Sequence, residues 1–137
     1  MEAARKTWIS STLASESTAL AAAAAVLAWH EEADICGSLA SIGAEIRSTV
    51  ANAIQASGID GVTVEGLDPM WFLRFADAGR ETRFLELAAK NGVLFKRGAY
   101  NYAAMSHDEE ALADIESAAS DALVELQEEE KEAAKAR

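Results

Sequence analysis

Only one cysteine, one proline and two histidines occur in the 137 residues. A single thiol, Cys36, cannot close an internal disulfide, which excludes a disulfide scaffold and suits a reducing compartment. Two histidines exclude a histidine-rich metal centre. Positive charge is also scarce, with 12 Lys and Arg against 23 Asp and Glu, a net charge of −11. Phosphate backbones are held by basic patches, so DNA and RNA are excluded as partners. Long apolar runs are missing too. The longest, residues 19–29, has 11 residues, whereas a membrane-spanning helix needs about 20. Glu16 and a Ser/Thr cluster separate this run from Arg5 and Lys6, so it does not read as a signal peptide. We expect a cytoplasmic protein without a membrane partner. No P-loop, G-x-G-x-x-G or G-x-S-x-G motif occurs.

What the chain has in abundance is alanine, 31 residues of it. Alanine favours helix and close packing but buries little area per residue. The acidity is concentrated at one end. Residues 1–106 carry a net charge of −3 and residues 107–137 a net of −8. The overall charge therefore belongs mainly to one terminal helix, whose acidic run reads as a solvated face.

Patterning predicts the order α-α-β-β-α-β-β-α. A first, Ala-rich helix, capped by Ser15 or Ser17, runs to about residue 30. Its small side chains on every face suit a helix held between two packed layers. The second helix, over 33–56, has one apolar stripe through Ile35, Leu39, Ile42, Ile46, Val50 and Ile54. Gly43 within it costs about 1 kcal/mol relative to Ala and implies a close contact. Gly58 suits a left-handed helix end. Residues 62–65 and 70–76 read as strands around a turn at 66–69, and 80–91 as a third helix. Residues 93–95 and 100–105 read as two more strands. The final helix opens on a Ser106/Glu109 capping box, shows an apolar face to Leu126, and frays from residue 128. The fold class is α+β, a small and mainly antiparallel sheet with helices on one face. The chain divides into an N-terminal segment with the Ala-rich helix (1–31), an α+β part (32–127) and a frayed charged end (128–137).

Individual signals for chemistry are few. His30 reads as a solvated helix end, His107 as a local polar group and Cys36 as a packed thiol. Ser10, Ser11 and Thr12 lie ahead of a helix, where hydroxyls and free amides could hold a phosphate or form a plain loop. Tyr100, Asn101 and Tyr102 could line a pocket or fill a strand core.

Three stretches together resemble the C-terminal part of a class III aminotransferase, of the subgroup that contains glutamate-1-semialdehyde aminomutase. They are residues 8–16 running into the Ala-rich helix, residues 92–98 (Gly-Val-Leu-Phe-Lys-Arg-Gly), and residues 104–110 (Ala-Met-Ser-His-Asp-Glu-Glu) followed by the last helix. They stand in the family's order and spacing over residues 8–126. The resemblance implies the small domain of a fold type I transferase that depends on pyridoxal 5′-phosphate, preceded by an interface helix. It implies a homodimer that exchanges an amino group with a small-molecule donor or acceptor. Ser11 and Thr12 would bind the cofactor phosphate of the other subunit, with Ser11 standing where the family commonly has Gly. Tyr100 and Asn101 would fall on the substrate side. In the family the Schiff-base lysine and the Asp at the pyridinium nitrogen lie upstream of the matched segment. None of the five lysines here takes that lysine's place, so no catalytic residue is assigned and the chain alone is expected to be inactive. The alternative is a non-enzymatic acidic helical domain that self-associates through the Ala-rich helix and the second helix's stripe. A third possibility is a partial reading frame without independent function.

Overall fold

A computed structural model describes residues 16–136. The chain divides into two compact units, residues 1–36 and 37–137. The described part of the first unit is α1 (Ser17–Glu32) and the start of α2 (Ile35–Ser57). The N-cap of α1 is Glu16, whose side chain makes no capping hydrogen bond, and Ser17 lies one residue inside the helix. No residue of α1 is buried. Cys36 is exposed as well, so the thiol is not packed.

In the second unit α2 is followed by β1 (Val62–Leu67), β2 (Met70–Phe75), α3 (Ala78–Lys90), β3 (Asn101–Tyr102) and α4 (Glu109–Lys135). The fold is α+β, with a three-stranded antiparallel sheet in the order β1-β2-β3. The β1–β2 hairpin pairs Val62 with Phe75 and Val64 with Leu73, so these four side chains share one face. That face, with Trp71, packs against side chains of all three helices: Ile46, Val50 and Ala53 of α2, Phe84 and Leu87 of α3, and Ala119, Ala122, Leu123 and Leu126 of α4. Phe84 and Leu123 are each 1% exposed; burying a side chain of that size contributes about 1.5–3 kcal/mol. Alanines on α4 let α3 come close. The opposite sheet face is mixed: Leu67, Met70, Phe72 and Tyr102 share it with an ion pair in which Arg74 clamps Glu65 through Nε–Oε1 at 2.6 Å and Nη2–Oε2 at 2.9 Å.

The close contact implied by Gly43 is present. A Cβ there would lie 1.8 Å from the carbonyl oxygen of Asp68 in the hairpin turn. Only a glycine lets α2 pass so near that backbone, and Arg47, one turn on, donates to the Asp68 carboxylate.

Four expectations are corrected. Residues 93–95 form no strand: Val93 N–H donates to the Ala88 carbonyl at the end of α3 and, just past the segment, Lys96 N–H donates to Asn101 Oδ1. The strand expected over 100–105 shrinks to Asn101–Tyr102. Ala103 N–H still reaches Pro69 O at 3.0 Å, but Ala104 N–H turns to His107 Nδ1 at 3.1 Å, which takes the chain off the ladder. The cap of α4 is Asp108, accepting from Ala111 N–H, and not Ser106. The end of that helix is also ordered, continuing to Lys135. Arg83 and Arg80 of α3 hold Glu129 and Glu130, both with closest contacts of 2.6 Å. These pairs, with Lys90–Glu125, set α3 and α4 antiparallel. Arg80 also donates to the Asp60 carbonyl at 2.6 Å.

Candidate functional site

The sheet, the segment after α3 and the start of α4 border an open cavity of about 370 Å³. Strand pairing places its first polar group. Asn101 lies opposite Trp71 across β2–β3, so both side chains take the inner face. Phe95 reaches the same place from the segment after α3, its ring 6.1 Å from Trp71 and 5.5 Å from Phe84. Ile46, Val93 and Ile115 complete the apolar walls, while His107 and Asp114 add polar groups at the α4 end.

Each polar group is held in a definite orientation. Asn101 Oδ1 accepts from Lys96 N–H at 2.9 Å, which fixes the direction of its NH₂ group. That Nδ2 and the indole Nε1 of Trp71 are buried and have no hydrogen-bond partner among the described residues. An unpaired buried donor costs roughly 1–3 kcal/mol, so two beside one cavity are a notable concentration. His107 Nδ1 accepts from Ala104 N–H at 3.1 Å. In a neutral imidazole this leaves the proton on Nε2, a further donor. The local polar role expected of His107 is therefore met, together with a place in the cavity wall. Asp114 is exposed at the cavity's edge. The polar residues at the wall are Asn101, Tyr102, His107 and Asp114, which bring both donors and acceptors beside an apolar bed.

The residues singled out from sequence are distributed differently. Ser11 and Thr12 lie outside the described residues. Asn101 and Tyr102 are in the cavity wall and Tyr100 is not. Tyr100 is exposed, edge-on to Phe72 with ring centroids 5.5 Å apart, on the outer sheet face. The pair Tyr100 and Asn101 is thus split between the two faces of the sheet. Trp71, Phe95 and His107 are the cavity residues that sequence reasoning did not bring together. Hydropathy gives each an ordinary role in strand, loop or helix start, and only the folded arrangement of β2, the segment after α3 and the start of α4 brings them together.

Pyridoxal phosphate does not fit this cavity. The cofactor needs a lysine amine and cationic or amide donors for its phosphate, and no Lys or Arg is among the lining residues. Lys90 is engaged with Glu125 and Lys131 with Gln127. No group of three or more metal-ligating side chains occurs among the described residues, and none of their helices is long and apolar enough to cross a membrane. No protein-family model matches the chain, and no curated protein matches it.

Proposed function

We propose that residues 8–126 form the small C-terminal domain and preceding interface helix of a class III, pyridoxal-phosphate-dependent aminotransferase of the glutamate-1-semialdehyde aminomutase type. The observation that carries this reading is the coincidence of motif and architecture. Two of the three stretches that resemble the family, residues 92–98 and 104–110, lie at the α3–β3 and β3–α4 connections of a hairpin–helix–strand–helix unit with a small antiparallel sheet. On this reading the amino-group chemistry belongs to the cofactor and to a large domain that supplies the lysine. This chain contributes hydroxyl donors at Ser11 and Thr12 to the cofactor phosphate across a dimer interface.

A chimera tests it. Residues 8–126 replace the corresponding segment of a class III aminotransferase. The expected product is a dimer that retains pyridoxal phosphate and loses cofactor affinity in S11A and T12A. A folded, soluble chimera that retains no cofactor removes the reading. The 137-residue chain alone, treated with pyridoxal phosphate and borohydride, is expected to carry no pyridoxyl-lysine. A label at one mapped lysine would overturn that part.

One observation favours a second reading, a self-associating module without catalysis. Leu20, Val26 and Leu27 of α1 are 59%, 51% and 66% exposed. In the first reading the large domain covers them; in the second another copy does. Sedimentation separates the two: concentration-dependent assembly that L27E abolishes supports self-association, and a monomer at all concentrations dismisses it.

A further inference from the structure

The sheet has one long unguarded edge. Among the described residues β1 has a single neighbour, β2. Ala76 N–H donates to Gly61 O at 2.8 Å, and the alternation of an antiparallel ladder then turns the backbone of Thr63 and Glu65 toward β2. The N–H and C=O of Val62 and Val64 therefore point the other way, where no described residue bonds them. Such edges are ordinarily blunted by Pro, Lys, a bulge or a covering segment. β1 contains neither Pro nor Lys, and its register with β2 is uninterrupted. Beside the edge runs a groove of about 290 Å³, lined by Ala51 and Ile54 of α2 and by Val62, Thr63 and Val64. Ala51 is exposed, and Ile54 and Val64 are half-buried. Apolar surface and open hydrogen-bonding groups thus lie side by side.

Charge and symmetry single out a second copy of this chain as the occupant. The excess negative charge is concentrated in residues 107–137, and α4 borders α2 on its other flank, across Thr49, Asn52 and Ala56. Near the edge, Glu65 is the only charge in residues 61–65, and Arg74 of the same protomer clamps it. A second chain of net charge −11 can therefore approach here without setting like charges against each other. A two-fold axis beside Thr63 gives an antiparallel register in which Val62 bonds Val64 of the partner subunit. The two Thr63 side chains then face each other, a favourable cross-strand pair, and Glu65 stands opposite Gly61 of the partner subunit. A register centred on Val64 would instead oppose Asp60 to Asp68 of the partner subunit. We propose that two copies of this chain pair through β1, antiparallel and centred on Thr63, and so join their three-stranded sheets into one. The apolar grooves beside the two strands meet over the joint. The other sheet edge, β3, is two residues long, so the pairing closes at a dimer. This surface is distinct from α1, and the inference rests on neither functional reading.

Sedimentation of the full chain is expected to show a concentration-dependent dimer that persists in L27E. Val64→Pro removes an outward N–H and no ladder bond to β2, and is expected to weaken the dimer at least about tenfold. If that variant does not fold, Ala51→Glu on the exposed flank of α2 sets two like charges at the joint and is expected to do the same. Cross-linking reports the register. Facing residues of a non-hydrogen-bonded antiparallel pair have Cα atoms about 4.5 Å apart, within disulfide reach. A Cys36→Ser background removes the exposed natural thiol. In it, Thr63→Cys is expected to form a covalent dimer with oxidised glutathione at least about tenfold faster than Leu67→Cys. Leu67 is 65% exposed, but in this register its two copies are roughly 27 Å apart. The proposal is overturned by a monomer at all concentrations, by a dimer that Val64→Pro and Ala51→Glu leave intact, or by Leu67→Cys cross-linking as fast as Thr63→Cys. A dimer that L27E abolishes assigns assembly to α1 and also overturns it.

Discussion

Gly43 shows how one residue can override local propensity. Replacing glycine with alanine inside a helix ordinarily gains about 1 kcal/mol. Here the new Cβ would stand 1.8 Å from the Asp68 carbonyl oxygen and 2.9 Å from Pro69 N. Both neighbours are backbone, so no side chain can swing aside. Either α2 or the hairpin turn must move, which also disturbs the Arg47–Asp68 ion pair. Overpacking of this kind costs about 1–3 kcal/mol, enough to reverse the propensity gain. Gly43→Ala is therefore expected to lower the urea midpoint of unfolding. A midpoint equal to or above that of the parent would show that the close approach is not as described. The need for a small residue was legible in the sequence, since a glycine amid an apolar helical stripe is otherwise unfavourable. Its partner was not, because Asp68 lies 25 residues away and meets Gly43 only through the fold of the hairpin.

At the scale of elements, the helix starts and the α3–α4 seam give separate predictions. Asp108 Oδ1 accepts from Ala111 N–H at 3.0 Å, so Asp108→Ala should cost about 1 kcal/mol of stability, as cap losses commonly do. Ser106→Ala should stay within about 0.5 kcal/mol. The opposite ranking in thermal unfolding would restore the capping box. The seam adds a pH dependence. Hydrogen bonds from Arg83 hold the Glu129 carboxyl below the usual glutamate range. Its contribution is then present above that range, near pH 4.3, and is lost as pH falls through the lowered value of the folded state. Glu129→Gln is expected to lower the unfolding midpoint slightly at pH 7, with the difference from the parent closing on acidification below pH ~4. A difference that stays constant with pH would assign the effect to something other than this pair. These elements were legible to unequal degrees. The hairpin, α2 and α3 follow from alternation and periodicity, which burial enforces. The short third strand does not, because side-chain acceptors on Asn101 and His107 compete for the amides of Lys96 and Ala104. The ordered end of α4 does not either: residues 128–135 have no bulky apolar side chain, and ion pairs spanning 46 and 50 residues of sequence hold Glu129 and Glu130. The candidate cavity was legible only at Asn101 and Tyr102, for the same reason, since its other walls come from four separate segments.

The whole molecule raises the question of what its alanine-rich beginning contributes to stability. The core of residues 37–137 draws its buried side chains from α2, the sheet, α3 and α4, and α1 has no buried residue. From Ser17 to Trp29 the helix carries no Asp, Glu, Lys or Arg, so it gains nothing from charge pairing along that length. A stretch of this kind is favoured by alanine's helix propensity, yet isolated helices of about this length are marginal in water without packing. Two consequences follow from separating these terms. A chain starting at residue 34 should lose the helical signal of α1 but keep the cooperative unfolding of the second unit, with its midpoint changed by no more than about 0.5 kcal/mol equivalent. Far-ultraviolet circular dichroism gives the first quantity and urea titration followed at Trp71 the second. A fall of several kcal/mol, of the size seen when large core side chains are removed, would mean that α1 is part of the core after all. If the midpoint holds, the exposed Leu20, Val26, Leu27 and Trp29 are free of any duty to the folding of this unit, and their apolar character is explained by what they meet in an assembly. That is the condition both functional readings need: a large domain or a second copy can cover α1 only if the rest of the chain does not depend on it.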